Sequence, residues 1–285
     1  MTILTTFKNY LFLMRPRQWV KNLLLLFPPF FGGKILDPTV LTTLVPSFLA
    51  FSFAASTGYI LNDIADRAAD QHHAEKKNRP IARGEIPVAV AYVIAAVLYV
   101  ASMFFALAMS RHFEGYVILY ILITALYTYY FKNIVIIDLF FISFGFIIRV
   151  LAGGEAFHTT VSGWLFLTVF IVSIFLSSGK RLGELIILQE EAGNHRQSLS
   201  HYSVSFLEGV LWFSASATLV TYALYTLEHH NGLFYTVPLT AFGLMRYIYI
   251  VKQGKGDPTE ALLMDSQIVS VGILWAVMIG VIIYR

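Results

Sequence analysis

The 285-residue sequence contains no cysteine and few charged residues. Without thiols, the chain can form neither disulfides nor thiolate metal sites. Asp, Glu, Lys and Arg make up only 13% of the residues, about half the share found in water-soluble domains, which excludes an ordinary soluble domain. The chain is instead 57% hydrophobic with a mean hydropathy of +0.69. This composition predicts an all-α polytopic membrane protein.

Eight apolar segments are long enough to form helices that cross a bilayer, which requires roughly 20 residues each. A ninth span is predicted at 19–36, where Pro28 and Pro29 remove backbone donors and should kink the helix. Residues 2–14 precede it as an interfacial helix. Because no soluble domain interrupts the spans, residues 1–285 are expected to form one integral membrane domain. The eight spans cover about 39–61, 87–109, 114–131, 134–153, 161–178, 204–227, 233–251 and 266–284.

Lys and Arg are unevenly distributed between the two sides of this nine-span arrangement. With the N-terminus inside, sixteen fall on cytoplasmic segments, and only Lys34, Arg111 and Arg285 fall on the opposite side. The positive-inside rule therefore predicts a multi-pass cell-membrane protein with a cytoplasmic N-terminus. Clusters of acidic residues fall on the same connections, and positive-inside topology does not explain them. An active site at the cytoplasmic face would explain them.

The stretch after the second predicted span reads YILNDIADRAAD and places Asp63, Asp66 and Asp70 at i, i+3 and i+7. These positions share one face of a helix, and Asn62 lies one turn before Asp66. Three gathered carboxylates repel one another, and a divalent cation resolves that conflict. Because all four ligands are oxygen donors, they favour Mg²⁺, which commonly binds a few carboxylates together with substrate phosphates.

Three cationic residues follow the acidic stretch. Lys76, Lys77 and Arg79 suit phosphate oxygens, and Arg79 can donate two parallel hydrogen bonds. The whole stretch therefore predicts a magnesium–diphosphate site at a membrane surface. A solvated loop with ordinary surface charges is the alternative.

A second cluster, KRLGE, follows the sixth predicted span. An offset of 118 residues aligns its Lys180, Arg181 and Glu184 with the polar positions that begin the first cluster. One cluster is acid-rich and the other mixed, which suggests that the second holds anions directly. Arg181 and Glu184, three residues apart, could equally form a simple helix ion pair.

The fifth predicted span contains two charged residues. Asp138 and Arg149 are eleven residues apart, almost three helical turns, so they share a face. An intramembrane charge indicates a functional site, and Asp138 or a bound anion is the expected partner of Arg149. A purely structural Asp–Arg link between helices is the alternative.

These motifs resemble a known family. NDIADRAAD is similar to the first aspartate-rich motif, N-D-x-x-D-x-x-x-D, of the UbiA superfamily of intramembrane prenyltransferases. Five segments, in matching order from about residue 14 to 270, more narrowly resemble decaprenyl-phosphate phosphoribosyltransferases. KRLGE departs from the D-x-x-x-D of members that prenylate aromatic rings, which argues against that chemistry. The segments are RPRQWVKNLLLL, NDIADRAADQHHAEKKNRPIA, IIDLFFISFGFIIRVLAGG, GKRLGELIILQEEAGNHRQSLSHY and DPTEALLMDSQIV.

The resemblance implies a UbiA-like helical bundle that transfers 5-phosphoribose from phosphoribosyl diphosphate to a decaprenyl-type polyprenyl phosphate, using magnesium and releasing diphosphate. It implies catalytic roles for Asp63, Asp66, Lys180 and Arg181. The same two aspartates, with Asn62 and Asp70, would hold the metal. The residues expected to bind substrate are Lys21, Asn62, Lys76, Arg79, Lys132, Asp138, Arg149, Glu184 and Tyr202.

The expected partners are the phosphoribosyl donor, the lipid acceptor and membrane lipids, with no nucleic acid; a homo-oligomer is left open. One alternative function is transfer of an isoprenoid from its diphosphate to an aromatic or other small acceptor, which shares the fold and the first motif. A transporter is a more remote alternative. Its binding groups would lie near the midplane of the membrane, whereas the charges here gather at one predicted face.

Overall fold

The computed structural model describes residues 3–71, 76–188, 199, 201–229 and 232–285. Within these ranges, eight helices are long and apolar enough to cross a membrane. Each coincides with one of the eight spans predicted from apolar runs, so the all-α, multi-pass architecture is confirmed. The eight are Thr39–Ala65, Val88–Leu107, Arg111–Phe131, Ile137–Ala156, Gly163–Ile187, Val204–His229, Leu233–Lys252 and Ser266–Tyr284.

The ninth predicted span, 19–36, has a different local structure. Pro16–Leu26 forms a 3-10 helix, and a short α-helix, Phe27–Phe31, follows it. Pro28 and Pro29 occupy the first turn of that short helix, where their missing N–H groups cost least. Runs of 3-10 helix this long are uncommon because their hydrogen bonds are poorly aligned. Nine spanning α-helices are therefore not confirmed.

The α-helices are numbered in chain order. The N-terminal helix α1, Ile3–Met14, lies where an interfacial helix was predicted at 2–14. The others are α2 Phe27–Phe31, α3 Thr39–Ala65, α4 Arg67–Gln71, α5 Val88–Leu107, α6 Arg111–Leu126, α7 Ile137–Ala156, α8 Gly163–Leu188, α9 Val204–His229, α10 Val237–Lys252, α11 Pro258–Met264 and α12 Ser266–Tyr284.

The chain divides into two compact units. Unit 1 comprises residues 1–132 and 148–160, and unit 2 comprises 133–147 and 161–285. The single-domain arrangement over 1–285 stays a prediction.

Unit 1 is built around α3, which packs along α5. Phe51 of α3 is fully buried against Phe113 and Tyr120 of α6, with ring centroids 5.8 and 5.6 Å away. Small polar side chains join the helices, since the Ser102 hydroxyl donates to the Ala50 carbonyl at 2.7 Å. Such bonds are a common means of holding helices together in lipid, where apolar contact alone provides little driving force.

Unit 2 has its own core between α8, α9 and α10, formed by Phe175, Leu182, Leu207, Leu211 and Tyr247. In this unit α8 runs to Leu188, ten residues beyond the predicted end of the span at 178. The second charged motif is therefore part of a continuous helix and not of a loop. That continuity gives its side chains defined directions on the helix surface.

Candidate active site

The acidic segment of unit 1 lies where α3 ends. Asp63 is buried in the last turn of α3, and Asp70 is buried in α4. Asp66 sits at the junction, with φ −92° and ψ 2°, so the helix is interrupted between the other two aspartates. Its N–H still donates to the Asn62 carbonyl at 2.9 Å, and the Asp70 N–H donates to the Asp66 carbonyl at 2.8 Å. The backbone thus keeps a near-helical course through the motif.

Two of the three carboxylates converge on a single guanidinium. Arg79 Nη1 donates to Asp63 Oδ1 at 2.9 Å and to Asp70 Oδ2 at 2.7 Å. Asp63 also accepts from Arg15 Nη2 at 2.5 Å. Arg79, predicted to bind phosphate, here holds two of the predicted metal ligands together. Removing one partner of such a buried pair is strongly destabilising, because it leaves an uncompensated buried charge.

The third carboxylate has other partners. Asp66 forms an ion pair with Lys132 and accepts from Asn62 Nδ2 at 3.1 Å. Asn62 and Lys132 were both predicted to bind substrate, and the structure brings them to Asp66. This part of the cluster is half-buried, so it is more accessible than Asp63 or Asp70.

The assignment of a metal to the first cluster stays a prediction. Within the part of the chain that the structure describes, no three His, Cys, Asp or Glu side chains gather closely enough to hold one metal ion. Protein cations lie among the carboxylates instead, because charges buried beside lipid require counter-charges in the protein itself. Burial raises the pKa of Asp70 despite the opposing effect of Arg79, which agrees with a carboxylate held away from water.

Arg15 is a site residue that the sequence analysis missed. Its backbone has φ 53°, a left-handed conformation that is unusual for a residue with a side chain. From there the guanidinium reaches Asp63 and lies 5.1 Å from the centre of the Tyr59 ring. Its one signal was its place in the RPRQW segment, which carries part of the family resemblance.

Unit 2 contains a second, deeply buried charged cluster. The carboxylate of Asp138, at the start of α7, is inaccessible to solvent. Its Oδ2 accepts from Arg181 Nε at 3.1 Å, and its Oδ1 accepts from the Tyr202 hydroxyl at 2.7 Å. Arg181 Nη1 also donates to Glu184 Oε2 at 3.0 Å. The predicted i, i+3 ion pair is therefore present, and Asp138 is joined to it.

Tyr202 also holds the start of α7. Its hydroxyl accepts from the Ile136 N–H at 2.6 Å. Ile136 has φ 70°, a strained conformation for a β-branched residue, and such strain persists only where surrounding contacts enforce it. Burial, followed by the contact with Asp138, raises the pKa of Tyr202. Asp138 and Tyr202 were predicted to bind substrate; in this structure their polar atoms orient Arg181 and the backbone.

Lys180 differs from its neighbour. The Arg181 side chain is 4% exposed, whereas the Lys180 side chain is 42% exposed and pairs with Asp257 Oδ2 at 2.7 Å. In unit 2, Lys180 is therefore the motif cation that a solvent-borne anion can reach.

Arg149, in the second half of α7, is buried among polar groups of unit 1. Its Nε donates to Asn22 Oδ1 at 2.7 Å and its Nη2 to the Tyr120 hydroxyl at 2.9 Å. The guanidinium lies 4.5 Å from the centre of the Tyr120 ring. Asp138 is not its partner as expected, because eleven residues of continuous α-helix rise about 16 Å. A direct pairing with Asp138 is therefore contradicted, and the other expected partner, a bound anion, stays a prediction.

The remaining predicted cations also lie in unit 1. Lys21 is half-buried on the 3-10 helix, one residue before the buried Asn22. Lys76 is half-buried in a short 3-10 turn, Lys76–Asn78, after α4.

Comparison with known proteins identifies the family. The sequence profile of the UbiA prenyltransferase family matches residues 26–271. The chain belongs to this family. As a UbiA family member it is a membrane transferase, which confirms the prediction of an enzyme.

Curated relatives narrow the resemblance. The decaprenyl-phosphate phosphoribosyltransferase of Mycobacterium tuberculosis is 32% identical over 94% of this chain and 91% of its own length. The enzyme of the same name from Corynebacterium glutamicum is 33% identical over 95% of this chain and 85% of its own. The likeness therefore covers both units of this UbiA member.

Solved structures agree with the fold. A UbiA homologue from Archaeoglobus fulgidus bound to DMAPP and Mg²⁺ has a TM-score of 0.76, with 20% identity over 97% of this chain and 99% of that one. The same homologue bound to GPP and Mg²⁺ has a TM-score of 0.75 at 19% identity, over the same shares of the two chains. The UbiA-like helical fold is thus confirmed.

Proposed function

We propose that this chain transfers 5-phosphoribose from phosphoribosyl diphosphate to a decaprenyl-type polyprenyl phosphate in the cell membrane, releasing diphosphate. The observation that carries the proposal is the full-length likeness to curated enzymes of that name. The exposed cation Lys180 supports it, because a donor with a 5-phosphate and an acceptor with a phosphate both require cations. The excess of Lys and Arg on predicted inner segments supports a cytoplasmic active site and N-terminus.

Magnesium fits the residues of the first cluster. Asn62, Asp63, Asp66 and Asp70 offer only oxygen ligands, which a hard divalent ion prefers. Asp63 and Asp70 share the positive charge of Arg79, and Asp63 also faces Arg15. Because no three carboxylates converge in the described residues, the expected mode is one or two carboxylates together with substrate phosphates. When bound, magnesium supplies positive charge to the departing diphosphate.

The cationic side chains have distinct roles in this proposal. Lys180 binds a phosphate group, while Arg181, held by Asp138 and Glu184, keeps this end of α8 in place beside it. In unit 1, the half-buried and buried cations bind phosphate oxygens of donor or acceptor; they are Lys21, Lys76, Arg79, Lys132 and Arg149. Preorganised charge of this kind stabilises a transition state without reorganisation.

The reaction is a displacement at ribose C1. An oxygen of the acceptor phosphate forms the new bond to C1, the bond from C1 to the diphosphate oxygen breaks, and diphosphate leaves with the electron pair. The configuration at C1 inverts. The acceptor phosphate is anionic near neutral pH, so the step needs no general base.

Isoprenoid transfer to a small acceptor is the second candidate. The A. fulgidus structures with GPP and DMAPP favour it, because they share the fold over 97% of this chain. The phosphoribosyl reaction is preferred because KRLGE lacks the second aspartate pair that the resemblance leads one to expect in ring-prenylating members. Membership of a transferase family disfavours the transporter alternative.

A labelled-donor assay separates the candidates. Purified protein is incubated with Mg²⁺, phosphoribosyl diphosphate labelled in the ribose, and polyprenyl phosphates of several lengths, and the lipid extract is counted. Label should enter the lipid only when both substrates and the metal are present. A parallel reaction uses labelled prenyl diphosphate and 4-hydroxybenzoate. Label transfer in that reaction alone would contradict the proposal and support isoprenoid transfer.

A further inference from the structure

The loop between α10 and α11 lies directly on α8, beside the second charged motif. Close packing is possible because glycines meet there: a Cβ on Gly183 would lie 2.6 Å from the Gly256 nitrogen, and one on Gly256 would lie 2.5 Å from the Gly179 carbonyl oxygen. The Tyr247 hydroxyl lies 2.8 Å from the Gly256 carbonyl oxygen. The backbone of the loop is therefore packed closely against α8.

Asp257, the next residue of this loop, has two functions in the structure. Its Oδ1 accepts from the N–H groups of Thr259 and Glu260, at 2.9 and 3.3 Å, and so caps α11. Its Oδ2 accepts from Lys180 Nζ at 2.7 Å. The cap fixes the carboxylate, and the carboxylate in turn fixes the ammonium.

A lysine side chain has four flexible bonds, and fixing it normally costs conformational entropy. An ammonium has three N–H donors. One donor is directed to Asp257, which leaves two for a ligand, and the Lys180 side chain is 42% exposed. This geometry suits capture of one phosphate group by a preorganised point charge.

We propose that Asp257 is a positioning residue that holds Lys180 in place to bind a substrate phosphate group. This inference rests on the proposed function for the assignment of a phosphate-bearing substrate. Neither the charged motifs nor the predicted site residues include Asp257.

The chain provides a matched control. Asp265 also caps a helix, accepting from the Ile268 N–H at 3.0 Å, and also pairs with a cation, Arg246, at 2.8 Å. Both residues belong to unit 2, but Arg246 is outside the candidate site. Asp257→Asn and Asp265→Asn each keep a capping oxygen and remove a charge.

The test is a double-mutant cycle on the full-length protein in detergent. Binding of phosphoribosyl diphosphate with Mg²⁺ is measured by calorimetry for wild type, Asp257→Asn, Lys180→Ala and the double variant. Asp257→Asn should raise the Kd about tenfold, and less than about twofold when Lys180 is already Ala. Asp265→Asn should change the Kd less than about twofold. In turnover, Asp257→Asn should raise KM while changing kcat little.

Equal effects of Asp257→Asn with and without Lys180 would overturn the inference, since they would indicate a merely structural role. Equal changes in Kd for Asp257→Asn and Asp265→Asn would overturn the inference as well. A short-chain polyprenyl phosphate in the same cycle reports whether Lys180 meets the donor or the acceptor; coupling with either supports the inference.

The same experiment distinguishes failure of the proposed function from failure of the positioning role. Inorganic diphosphate, which both candidate reactions release, serves as a further probe. Coupling with inorganic diphosphate but no binding of phosphoribosyl diphosphate would uphold the positioning role and reject the donor. Normal phosphoribosyl transfer without coupling between Asp257 and Lys180 for any probe would uphold the proposed function and reject the positioning role.

Discussion

The two charged clusters are built with opposite distributions of charge along the chain. In unit 1, Asp63, Asp66 and Asp70 come from one short segment, and the cations that meet them come from 9 to 66 residues away. In unit 2, Lys180 and Arg181 are adjacent, and two of their carboxylates come from 43 and 77 residues away.

The comparison shows how charged motifs beside lipid are stabilised. A charge in that setting requires a counter-charge, since an uncompensated one costs several kcal/mol. The counter-charge need not be local, so a motif displays one sign while its partners are scattered. The sequence therefore shows the acidic residues of the unit 1 cluster as a motif, and the adjacent cations of the unit 2 cluster, but not their distant partners.

The largest effect is expected where the counter-charge is most deeply buried. Asp138→Ala leaves Arg181 buried without one of its carboxylates and should cost about 3–5 kcal/mol of stability. Thermal unfolding in detergent measures the loss. Glu114→Ala, which breaks an i, i+3 pair with the exposed Arg111, is the matched control and should cost less than about 0.5 kcal/mol. Similar losses would show that burial of an ion pair does not determine the cost of removing its carboxylate.

The acidic cluster should instead show its effect in activity. Asp66 is its more accessible carboxylate, so Asp66→Asn should lower phosphoribosyl transfer by about 100-fold or more while the protein stays folded. The labelled-donor assay measures the rate, and circular dichroism checks the fold. Asp37→Asn, which alters an exposed carboxylate that accepts from the Thr39 N–H, should leave the rate unchanged. Full activity of Asp66→Asn would remove the metal and diphosphate assignment from this cluster.

A close contact at Gly153 tests the packing of α7 against the 3-10 helix that carries Asn22, the partner of the buried Arg149. A Cβ on Gly153 would lie 2.2 Å from the Leu25 carbonyl oxygen, so Gly153→Ala should cost about 1–3 kcal/mol by overpacking. Gly115 has open space around it, and Gly115→Ala should be neutral or slightly stabilising. Melting temperatures of the two variants provide the comparison. A tolerated Gly153→Ala would contradict the close approach of these segments.

The smallest effect concerns pH. Burial opposes ionisation of Asp257, but Lys180 and the capped N–H groups outweigh it and lower its pKa below 3.8. A carboxyl whose pKa is lower in the folded state stabilises the fold above its unfolded pKa and loses that contribution as pH falls. Melting temperatures of wild type and Asp257→Asn should therefore converge as pH drops below about 4. A difference in melting temperature that stays constant with pH would contradict the Asp257–Lys180 ion pair.

The fold was largely predictable from sequence. Apolar runs of about 20 residues located the eight spanning helices found in the described part of the chain, because lipid accepts few other backbone arrangements. The segment at 19–36 was the exception: hydropathy measures apolar content and carries no information on whether hydrogen bonds close at i+3 or i+4.

The site was predictable in part. The spacing of Asp63, Asp66 and Asp70 indicated a charged cluster, and Arg79 and Lys132 were expected nearby. Arg15 and Asp257 were missed because each meets its partner through the tertiary structure, across 48 and 77 residues. The pairing of Arg149 was also wrong, since helical periodicity gives direction around an axis but does not remove the distance along it.

Hydropathy and spacing are local properties, so the chain's residue order was enough to establish that this protein is helical, lies in a membrane and carries one acid-rich and one mixed charged motif. Which charges meet depends on the folded arrangement. Arg79 joins Asp63 to Asp70, Asp138 secures Arg181, and Asp257 holds Lys180. Those pairings depend on how distant helices pack, and short-range Coulomb interactions become large only once packing brings the groups within a few ångströms.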